Sequence, residues 1–388
     1  MTQTVLNVPL IAQQTDEWCW AASGEMVMSY EGDDVSQCEQ ANYHFSMSGC
    51  CDDPTPTACV QPGYPDFGYW GFSFQQTAPG VALTFAQLTS QFASNLPVAY
   101  SWRWTRGGGH MMVAIGVDSA TTMVYINNPW PPNTGDTTWI TYSNYVSQSG
   151  VHTHGRDWYD ITPSSPPSSP PGTEGDGMTD ESPAGAPGAH DEPYGAAAEG
   201  LRLLPRLATR TADGVRPGGS PAASAGAQLS DPFRVFYVYR EVLAERVPGD
   251  DPRAVLVDVN ELLYPVLGGG EVIGAVRVVR QDGAWTIKSV GEPNLARSLV
   301  RARARDSAAT NTPAADYLIV HVPALYQMFV GRFDAAGTLM LSPVHDDAAK
   351  GFSRAETLDG AVVLDRLVPQ AQLARDAVAD EGPDLPAM

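Results

Sequence analysis

A segment rich in proline, serine and glycine divides this chain into two parts. It begins TPSSPPSSPPGTEGDG at Thr162 and continues with acidic residues among glycines and alanines. Such a composition cannot bury enough apolar surface to offset the entropy that a chain loses on ordering. We therefore predict a disordered linker at 163–230, between an N-terminal domain at 1–162 and a smaller α+β domain at 231–388.

The charge of the chain limits the partners that it can have. Its 388 residues include 23 Lys and Arg against 44 Asp and Glu, which gives a formal net charge of -21. Such an acidic surface repels nucleic acid and anionic lipid, so neither nucleic acid nor membrane is expected as a partner. The first residues lack a basic, apolar leader, which predicts a cytoplasmic protein, with leaderless or effector-type secretion as the alternative.

The stretch EWCWAASGEMVMSY sets Cys19 apart from the other cysteines. Small and apolar residues recur at helical spacing after it, which places Cys19 at a helix N-terminus. The positive end of a helix stabilises a thiolate, and the thiolate is the form of cysteine that attacks a carbonyl carbon. We therefore predict that Cys19 is a nucleophile.

The predicted strand HMMVAIGVD begins with His110 directly after three glycines. A histidine at this place can accept the thiol proton as a general base. The glycines would let a substrate chain approach, so Gly108 and Gly109 are predicted substrate-binding residues, together with Trp20. The other histidines lack such a glycine-rich approach, and the HTH motif at 152–154 is expected on the solvated surface.

A catalytic imidazole needs a partner that orients its second nitrogen. The next predicted strand, TMVYINNP, supplies Asn128 near its end, with Asn127 and Asp136 as competing candidates. Trp130 could cover this hydrogen bond and keep water away from it as structural support. A third predicted strand, TTWITYS, follows.

Gln13 precedes Cys19 at a distance that suits an oxyanion donor. Its side-chain amide could donate, together with the Cys19 backbone N–H, to the oxygen that becomes negative during acyl transfer. Gln14 is the nearest competitor for this role.

The order of Gln13, the WCWAAS block, the GGGH segment and the NPW segment resembles that of the papain-like (clan CA) cysteine peptidases. Their compact bacterial AvrRpt2-like branch is the most similar, and the resemblance covers about residues 5–160. It implies an α+β domain in which an N-terminal helix carries the cysteine and an antiparallel sheet carries the histidine and asparagine. It also implies the roles of the site residues: Cys19 as nucleophile, His110 as general base and acid, Asn128 as orienting residue and Gln13 as oxyanion donor.

This resemblance predicts hydrolysis of peptide bonds through a Cys-His-Asn acyl-enzyme mechanism. The expected partner is a protein or peptide substrate, and the protein is expected to be a monomer that uses no cofactor. Two alternatives stay open. One is an acyl transferase or transpeptidase with the same site, and the other is a catalytically idle papain-like binding module.

The remaining cysteines, Cys38, Cys50, Cys51 and Cys59, could bind zinc, form two disulfides or stay free. A closed zinc site prefers pairs of Cys-x-x-Cys ligands, which the sequence lacks, so no metal is expected. Papain-like folds often carry disulfides in this region, and the resemblance therefore favours two disulfides. The vicinal Cys50 and Cys51 would then bond outward, one to Cys38 and one to Cys59.

The C-terminal part has the pattern of an antiparallel α+β domain. VIGAVRVV and WTIKSV flank a predicted hairpin turn, YLIVHV and TLMLSPV flank a second turn at DAAG, and ARSLVRARARD is predicted to be helical. The apolar fragment GLRLLPRLATR at 200–210 could dock on either domain. No catalytic cluster is visible, so we expect a targeting module, a substrate receptor or a built-in inhibitor. The first two are favoured because no segment resembles a cleft plug.

Overall fold

The structure is a computed structural model in which residues 3–55, 57–164, 188–207, 210–211, 214–215 and 226–380 are described. Most of the predicted linker lies outside the described residues. Helices and a large sheet form a mixed α+β structure, as the sequence predicts. In the described part of the chain, no helix is both long and apolar enough to cross a membrane.

The helices are α1 (Cys19–Tyr30), α2 (Gln37–His44), α3 (Phe85–Ala93), α4 (Tyr142–Val146), α5 (Pro193–Leu207), α6 (Arg240–Ala244), α7 (Pro293–Thr310) and α8 (Gly360–Asp380). The strands up to the predicted linker are β1 (Gln3–Val5), β2 (Phe72–Gln76), β3 (Val98–Trp104), β4 (Gly109–Asp118), β5 (Met123–Asn128), β6 (Asp136–Thr141), β7 (Ser147–Gln148) and β8 (His152–Pro163). The later strands are β9 (Arg210–Thr211), β10 (Gly214–Val215), β11 (Gln228–Leu229), β12 (Phe233–Tyr237), β13 (Val257–Gly268), β14 (Glu271–Gln281), β15 (Ala284–Gly291), β16 (Leu318–Val322), β17 (Gln327–Phe333), β18 (Leu339–Pro343) and β19 (Leu358–Asp359).

The first helix lies inside the N-terminal part and begins at Cys19, as the sequence predicts. It packs against β4 and β3, and all its residues from Cys19 to Gly24 are buried. A Cβ atom at Gly24 would lie 2.3 Å from the Gln40 Oε1 atom of α2, so a larger residue here would displace the Gln40 side chain. The N-terminus of α1 is thereby held against the sheet.

The three strands predicted after the helix are present as β4, β5 and β6, in an antiparallel arrangement next to β3. His110 is near the start of β4, opposite Trp102 of β3. Asn128 is the last residue of β5, opposite Asp136 of β6. Because antiparallel neighbours run in opposite directions, the start of β4 and the end of β5 meet at the same edge of the sheet.

In the C-terminal part, β14 and β15 form the first predicted hairpin, and α7 contains the predicted ARSLVRARARD helix. The second hairpin differs from the prediction. YLIVHV forms β16, but the strand that reaches the DAAG turn and pairs with β18 is β17. A 3-10 turn at Pro323–Leu325 and a positive φ of 52° at Tyr326 reverse the chain between β16 and β17. This irregular reversal has no glycine to mark it in the sequence.

The fragment GLRLLPRLATR contributes to α5, which packs on β14 and β15. A Cβ atom at Gly200 would lie 2.5 Å from Val276 Cγ1, and Leu203 and Leu204 are buried. The described portion of the predicted linker range therefore includes a helix that docks on the C-terminal part.

The two parts of the chain are joined through the edge strand β6. It pairs antiparallel with β15, and Trp139 lies opposite Val290. The Asp136 carboxylate accepts a hydrogen bond of 2.8 Å from the Leu295 backbone N–H in the first turn of α7. One cluster of buried apolar residues also extends through both parts. A strand edge that would otherwise stay unpaired is thus covered by the C-terminal part.

Candidate active site

Cys19 is the only cysteine of the chain outside a disulfide, and 6% of its surface is exposed. Trp18, the N-cap residue of α1, makes no side-chain capping hydrogen bond. No capping oxygen therefore offsets the partial positive charge at this helix end. The structure places the thiol where a helix can stabilise its anion.

The His110 ring is held by Asn128. Its Nε2 atom lies 2.7 Å from Asn128 Oδ1, and the same oxygen accepts a 3.0 Å hydrogen bond from the Trp130 backbone N–H. Because an amide oxygen can only accept, Nε2 carries the proton that is donated to it. Nδ1 of the neutral ring is then left with a lone pair, and this buried atom has no hydrogen-bond partner.

The packing of α1 on β4 brings the thiol next to the histidine strand. The backbone of Met111, the residue that follows His110, lies close enough to the Cys19 thiol to lower its pKa. The Tyr326 ring lies beside both groups: its centre is 5.8 Å from that of the His110 ring, and its hydroxyl is 3.4 Å from Cys19 Sγ. Cys19, His110 and Asn128 therefore belong to one site.

Burial keeps both reactive groups neutral in this arrangement. It raises the pKa of the Cys19 thiol to about 11, although the nearby Met111 backbone acts in the opposite direction. Burial also lowers the pKa of His110 to about 4, against the hydrogen bond with Asn128. At neutral pH the pair is thus a thiol and an imidazole, and the ion pair of a reactive cysteine is not formed.

Gln13 is buried beside this site, but its amide is engaged within the loop that precedes α1. The Nε2 group donates to the Thr15 and Asp16 carbonyl oxygens at 2.8 and 2.7 Å. The Gln13 backbone N–H donates to the Pro129 carbonyl at 3.0 Å, which links this loop to the segment after β5. The Gln13 amide would have to release one of these carbonyls before it could donate to an oxyanion. Its competitor Gln14 is exposed to solvent.

The two competitors of Asn128 have other partners. The Asn127 side chain donates to the Val8 and Pro9 carbonyl oxygens, both at 3.2 Å, and so fastens the N-terminal segment to β5. The Asp136 carboxylate caps α7. Of the three candidates, the structure places Asn128 on the imidazole.

Trp20 is placed differently from the prediction of a substrate contact. Only 1% of its surface is exposed, its Nε1 atom donates to the Gln61 carbonyl at 3.1 Å, and its ring packs against His44 and Phe45. Because the start of α1 is buried on every side, the residue after Cys19 faces the 37–63 segment and acts as a core residue.

Trp130 supports the site through its backbone more than through its ring. Its N–H fixes Asn128 Oδ1, whereas its indole Nε1 donates to the Tyr326 carbonyl at 3.2 Å. The ring centre lies 5.9 Å from those of both His321 and His345. The tryptophan therefore connects the asparagine with the C-terminal part.

Residues of the C-terminal part lie against the glycines that were predicted to admit a substrate. A Cβ atom at Gly108, where φ is +80°, would be 3.6 Å from Ala324 Cβ. The Gly109 carbonyl accepts a 3.0 Å hydrogen bond from the Tyr326 hydroxyl. Sequence reasoning missed Tyr326, because no local motif marks a residue that reaches the thiol from a strand connection so far along the chain.

A cavity of about 100 Å³ adjoins these residues. His110 and Asn128 line it from the N-terminal part, and His321, Tyr326 and Met328 line it from the C-terminal part. The space next to the imidazole is thus walled by both parts of the chain.

The HTH motif at 152–154 is not on the solvated surface, which corrects the sequence prediction. His152 stacks on Trp102 with ring centres 3.9 Å apart, and His154 Nδ1 lies 3.2 Å from the Tyr145 carbonyl oxygen. Both histidines are buried because they occupy alternate positions of β8 and so share its inner face.

The other cysteines form two disulfides, Cys38–Cys51 and Cys50–Cys59, which is the outward pattern expected for the vicinal pair. Such disulfides persist in oxidising compartments. Among the described residues, only Asp16, His345 and Asp347 bring potential metal ligands close together. The Lys350 ammonium already pairs with both of these carboxylates.

Comparison with known protein families agrees with this geometry. Residues 5–151 match the model of the Peptidase_C39 like family, and the matched range contains Gln13, Cys19, His110 and Asn128. The match supports a relation to the papain-like cysteine peptidases and suggests cysteine peptidase activity. No curated protein matches the chain.

Proposed function

We propose that this chain, whose residues 5–151 match a cysteine peptidase family, hydrolyses peptide bonds with Cys19 as the nucleophile. The observation that carries the proposal is the 2.7 Å hydrogen bond between His110 Nε2 and Asn128 Oδ1. It leaves the basic Nδ1 atom of His110 without a partner in the site that holds the chain's free thiol.

The proposed reaction begins when His110 Nδ1 takes the proton of Cys19. The sulfur then attacks the carbonyl carbon of the scissile peptide bond, and the carbonyl oxygen becomes negative. When the intermediate collapses, His110 gives its proton to the departing amine and a thioester to Cys19 remains. Water, deprotonated by His110, attacks this thioester and releases the carboxylic acid and the free thiol.

Two further residues have supporting roles in this proposal. Asn128 keeps the ring in the required tautomer and stabilises the imidazolium that forms. Gln13 would donate to the oxyanion together with the Cys19 backbone N–H, after its amide leaves the Thr15 or Asp16 carbonyl. Gly108 and Gly109 would face the substrate chain.

The substrate class proposed here is a protein or peptide, and the AvrRpt2-like branch remains a prediction. A transpeptidase or other acyl transferase would use the same steps up to the thioester and then admit an amine in place of water. A catalytically idle binding module would retain the fold without turnover. No specific observation favours either alternative over hydrolysis.

The test is identification of new protein N-termini by mass spectrometry after incubation with a proteome. Because Tyr326 lies on the thiol, we would assay the intact chain both as wild type and as Tyr326→Ala, each with and without Cys19→Ala. New N-termini that depend on Cys19 are expected. Their absence in both backgrounds would favour the idle module, and new amide products without free acids would favour the transferase.

Variants of the proposed catalytic residues give a graded result. We expect His110→Ala to lower turnover about 1,000- to 10,000-fold, because it removes the proton carrier. Asn128→Ala should lower turnover less, about 10- to 100-fold, because the free energy of one hydrogen bond to a charged group corresponds to a rate factor of this size. Asn127→Ala is the matched control. It should change stability without this loss, since its amide binds the Val8 and Pro9 carbonyls.

A further inference from the structure

We propose that the C-terminal part inhibits the peptidase site of the same chain, and that the connection between β16 and β17 is the blocking segment. This segment, residues 323–326, carries Tyr326 to the Cys19 thiol. The inference deepens the proposed function and rests on it, because inhibition presupposes that the site is catalytic.

The hydrogen bonds of Tyr326 direct the thiol proton away from the base. The tyrosine hydroxyl has one proton, which it donates to the Gly109 carbonyl at 3.0 Å. In its 3.4 Å contact with Cys19 Sγ, the hydroxyl is therefore the acceptor and the thiol is the donor. His110 Nδ1, which must receive that proton for catalysis, has no partner. In this arrangement the thiol proton points to Tyr326 and not to the base that the first catalytic step needs.

The same segment lies where a substrate chain would pass. Ala324 faces Gly108, and the Tyr326 side chain reaches the Gly109 carbonyl. The Trp130 indole holds the Tyr326 backbone carbonyl from the other side. Access to the nucleophile is closed from several directions at once.

The backbone at Tyr326 shows that this position is imposed by its surroundings. Its φ of 52° lies in the left-handed region, which is unfavourable for a residue with a side chain. Such a conformation persists only where neighbouring contacts determine it. Here those contacts are the hydrogen bonds with Trp130, Gly109 and Cys19.

The blocking segment is an inhibitor and not a bound substrate because of the atom that it presents. A phenol oxygen reaches the sulfur, and this oxygen is not an electrophile that a thiolate can attack. No covalent step follows from the contact, so the closed arrangement is not consumed by the enzyme.

Contacts outside the site keep the segment in place. Strand β15 pairs with β6, Asp136 caps α7, and Lys350 forms an ion pair with Asp16, close to Cys19 in the chain. The Tyr239 hydroxyl donates to the Gly150 carbonyl, and the Arg106 guanidinium lies over the Tyr239 ring. The raised pKa of the Cys19 thiol agrees with this closure, because burial penalises the thiolate.

The experiment measures the rate at which iodoacetamide alkylates Cys19 in the full chain at pH 8, by mass spectrometry of the intact protein. The disulfides leave Cys19 as the only free thiol. In the wild type we expect alkylation about a hundredfold slower than that of a small free thiol, and Tyr326→Ala should restore most of that rate. Casein digestion is followed in parallel.

Tyr317→Ala is the matched control. Tyr317 is another buried tyrosine of the C-terminal part, and its hydroxyl pairs with Asp306 away from the site. Its loss should destabilise the fold without a comparable rise in alkylation. An equal rise in both variants would overturn the proposal, because general loosening would then explain it.

The remaining outcomes separate the inhibition from the proposed function. Wild-type Cys19 that reacts as fast as a free thiol overturns the inhibition, even if Tyr326→Ala fails to fold. Fast alkylation of Tyr326→Ala without casein digestion supports the blocking contact and overturns the peptidase. Casein digestion that is equally fast in wild type and Tyr326→Ala supports the peptidase and overturns the inhibition.

Discussion

The N-terminal and C-terminal parts contribute to the candidate site in different ways. The N-terminal part supplies the thiol, the imidazole and the amide that orients it, all from one helix start and two adjacent strands. The C-terminal part supplies no proposed catalytic group. It supplies Tyr326, which touches the thiol from a connection between two strands.

The N-terminal part thus determines which groups can react, and the C-terminal part determines whether a substrate can reach them. The catalytic groups stand close together because α1 packs on β4 and β4 pairs with β5, so local patterns in the sequence are enough to suggest them. Access to the Cys19 thiol depends on the pairing of β15 with β6 and on the hydrogen bond by which Asp136 caps α7. Both contacts join segments that are distant in the chain. A chain of this kind can keep an intact set of catalytic residues and still hold them inactive.

Among the tests that compare the two parts of the chain, the largest effect is expected in the pH dependence of Cys19 alkylation, which tests whether the C-terminal part controls the thiol. In the intact chain the pKa of Cys19 is raised from 9.0 to about 11 by burial. Iodoacetamide labelling should therefore rise about tenfold per pH unit, or roughly a thousandfold between pH 7 and 10. The form in which Tyr326 covers Cys19 binds the thiol proton more tightly than an uncovered thiol does. This covered form is therefore fully stabilised below pH 9, and the stabilisation is lost as the pH rises through about 11.

Tyr326→Ala provides the comparison for this pH profile. Its labelling should level off at a lower pH than that of the wild type, because the thiol is less buried. A wild-type profile that is already flat at neutral pH would show that the C-terminal part does not suppress the thiolate.

An effect of about a hundredfold is expected when Gln13 is replaced, which tests whether the chemistry is confined to the N-terminal part. Gln13→Ala should lower kcat and leave KM nearly unchanged, because the amide would meet a charge that appears only in the transition state. The measurement is steady-state kinetics in the Tyr326→Ala background. Gln14→Ala is the control, and an equal loss in both variants would remove the role from Gln13.

Thermal melting has to accompany this experiment. The Gln13 amide also bridges the Thr15 and Asp16 carbonyls, so its loss affects the loop before α1. A fall in kcat that follows only from unfolding would appear as a lower melting temperature and a smaller active fraction.

The smallest effect is expected at the junction between the two parts. Asp136→Ala removes the acceptor of the Leu295 N–H at the start of α7, which should cost about 1 kcal/mol of unfolding free energy in a urea titration. It should also raise Cys19 alkylation about fivefold, since 1 kcal/mol corresponds to that factor in the population of an open form.

Asp118→Ala is the control for this prediction. Its carboxylate accepts from the Ala120 and Thr121 N–H groups in a turn within the N-terminal part, at 2.8 and 3.2 Å. A similar loss of stability is expected without faster alkylation. If Asp136→Ala leaves alkylation unchanged as well, the junction does not govern access to the thiol.

Much of the local structure could be predicted because its signals are short. Helical spacing after Cys19, the short apolar runs of β4 and β5 and the hairpin of β14 and β15 depend on residues that are close in the chain. The burial of Trp20 and of His152 could not be predicted in this way. Their environments come from the 37–63 segment and from the inner face of β8, which the sequence does not place beside them.

The sequence by itself determined which groups can react: one cysteine at a helix start, a histidine behind three glycines and an asparagine at a strand end. Only the tertiary structure decided whether they can be reached. Tyr326 is separated from Cys19 by most of the chain, and it arrives at the thiol through strand pairing and a turn with an unfavourable φ. Side-chain chemistry is a property of each residue, but burial and exclusion are properties of the folded whole, because they depend on what every other segment covers.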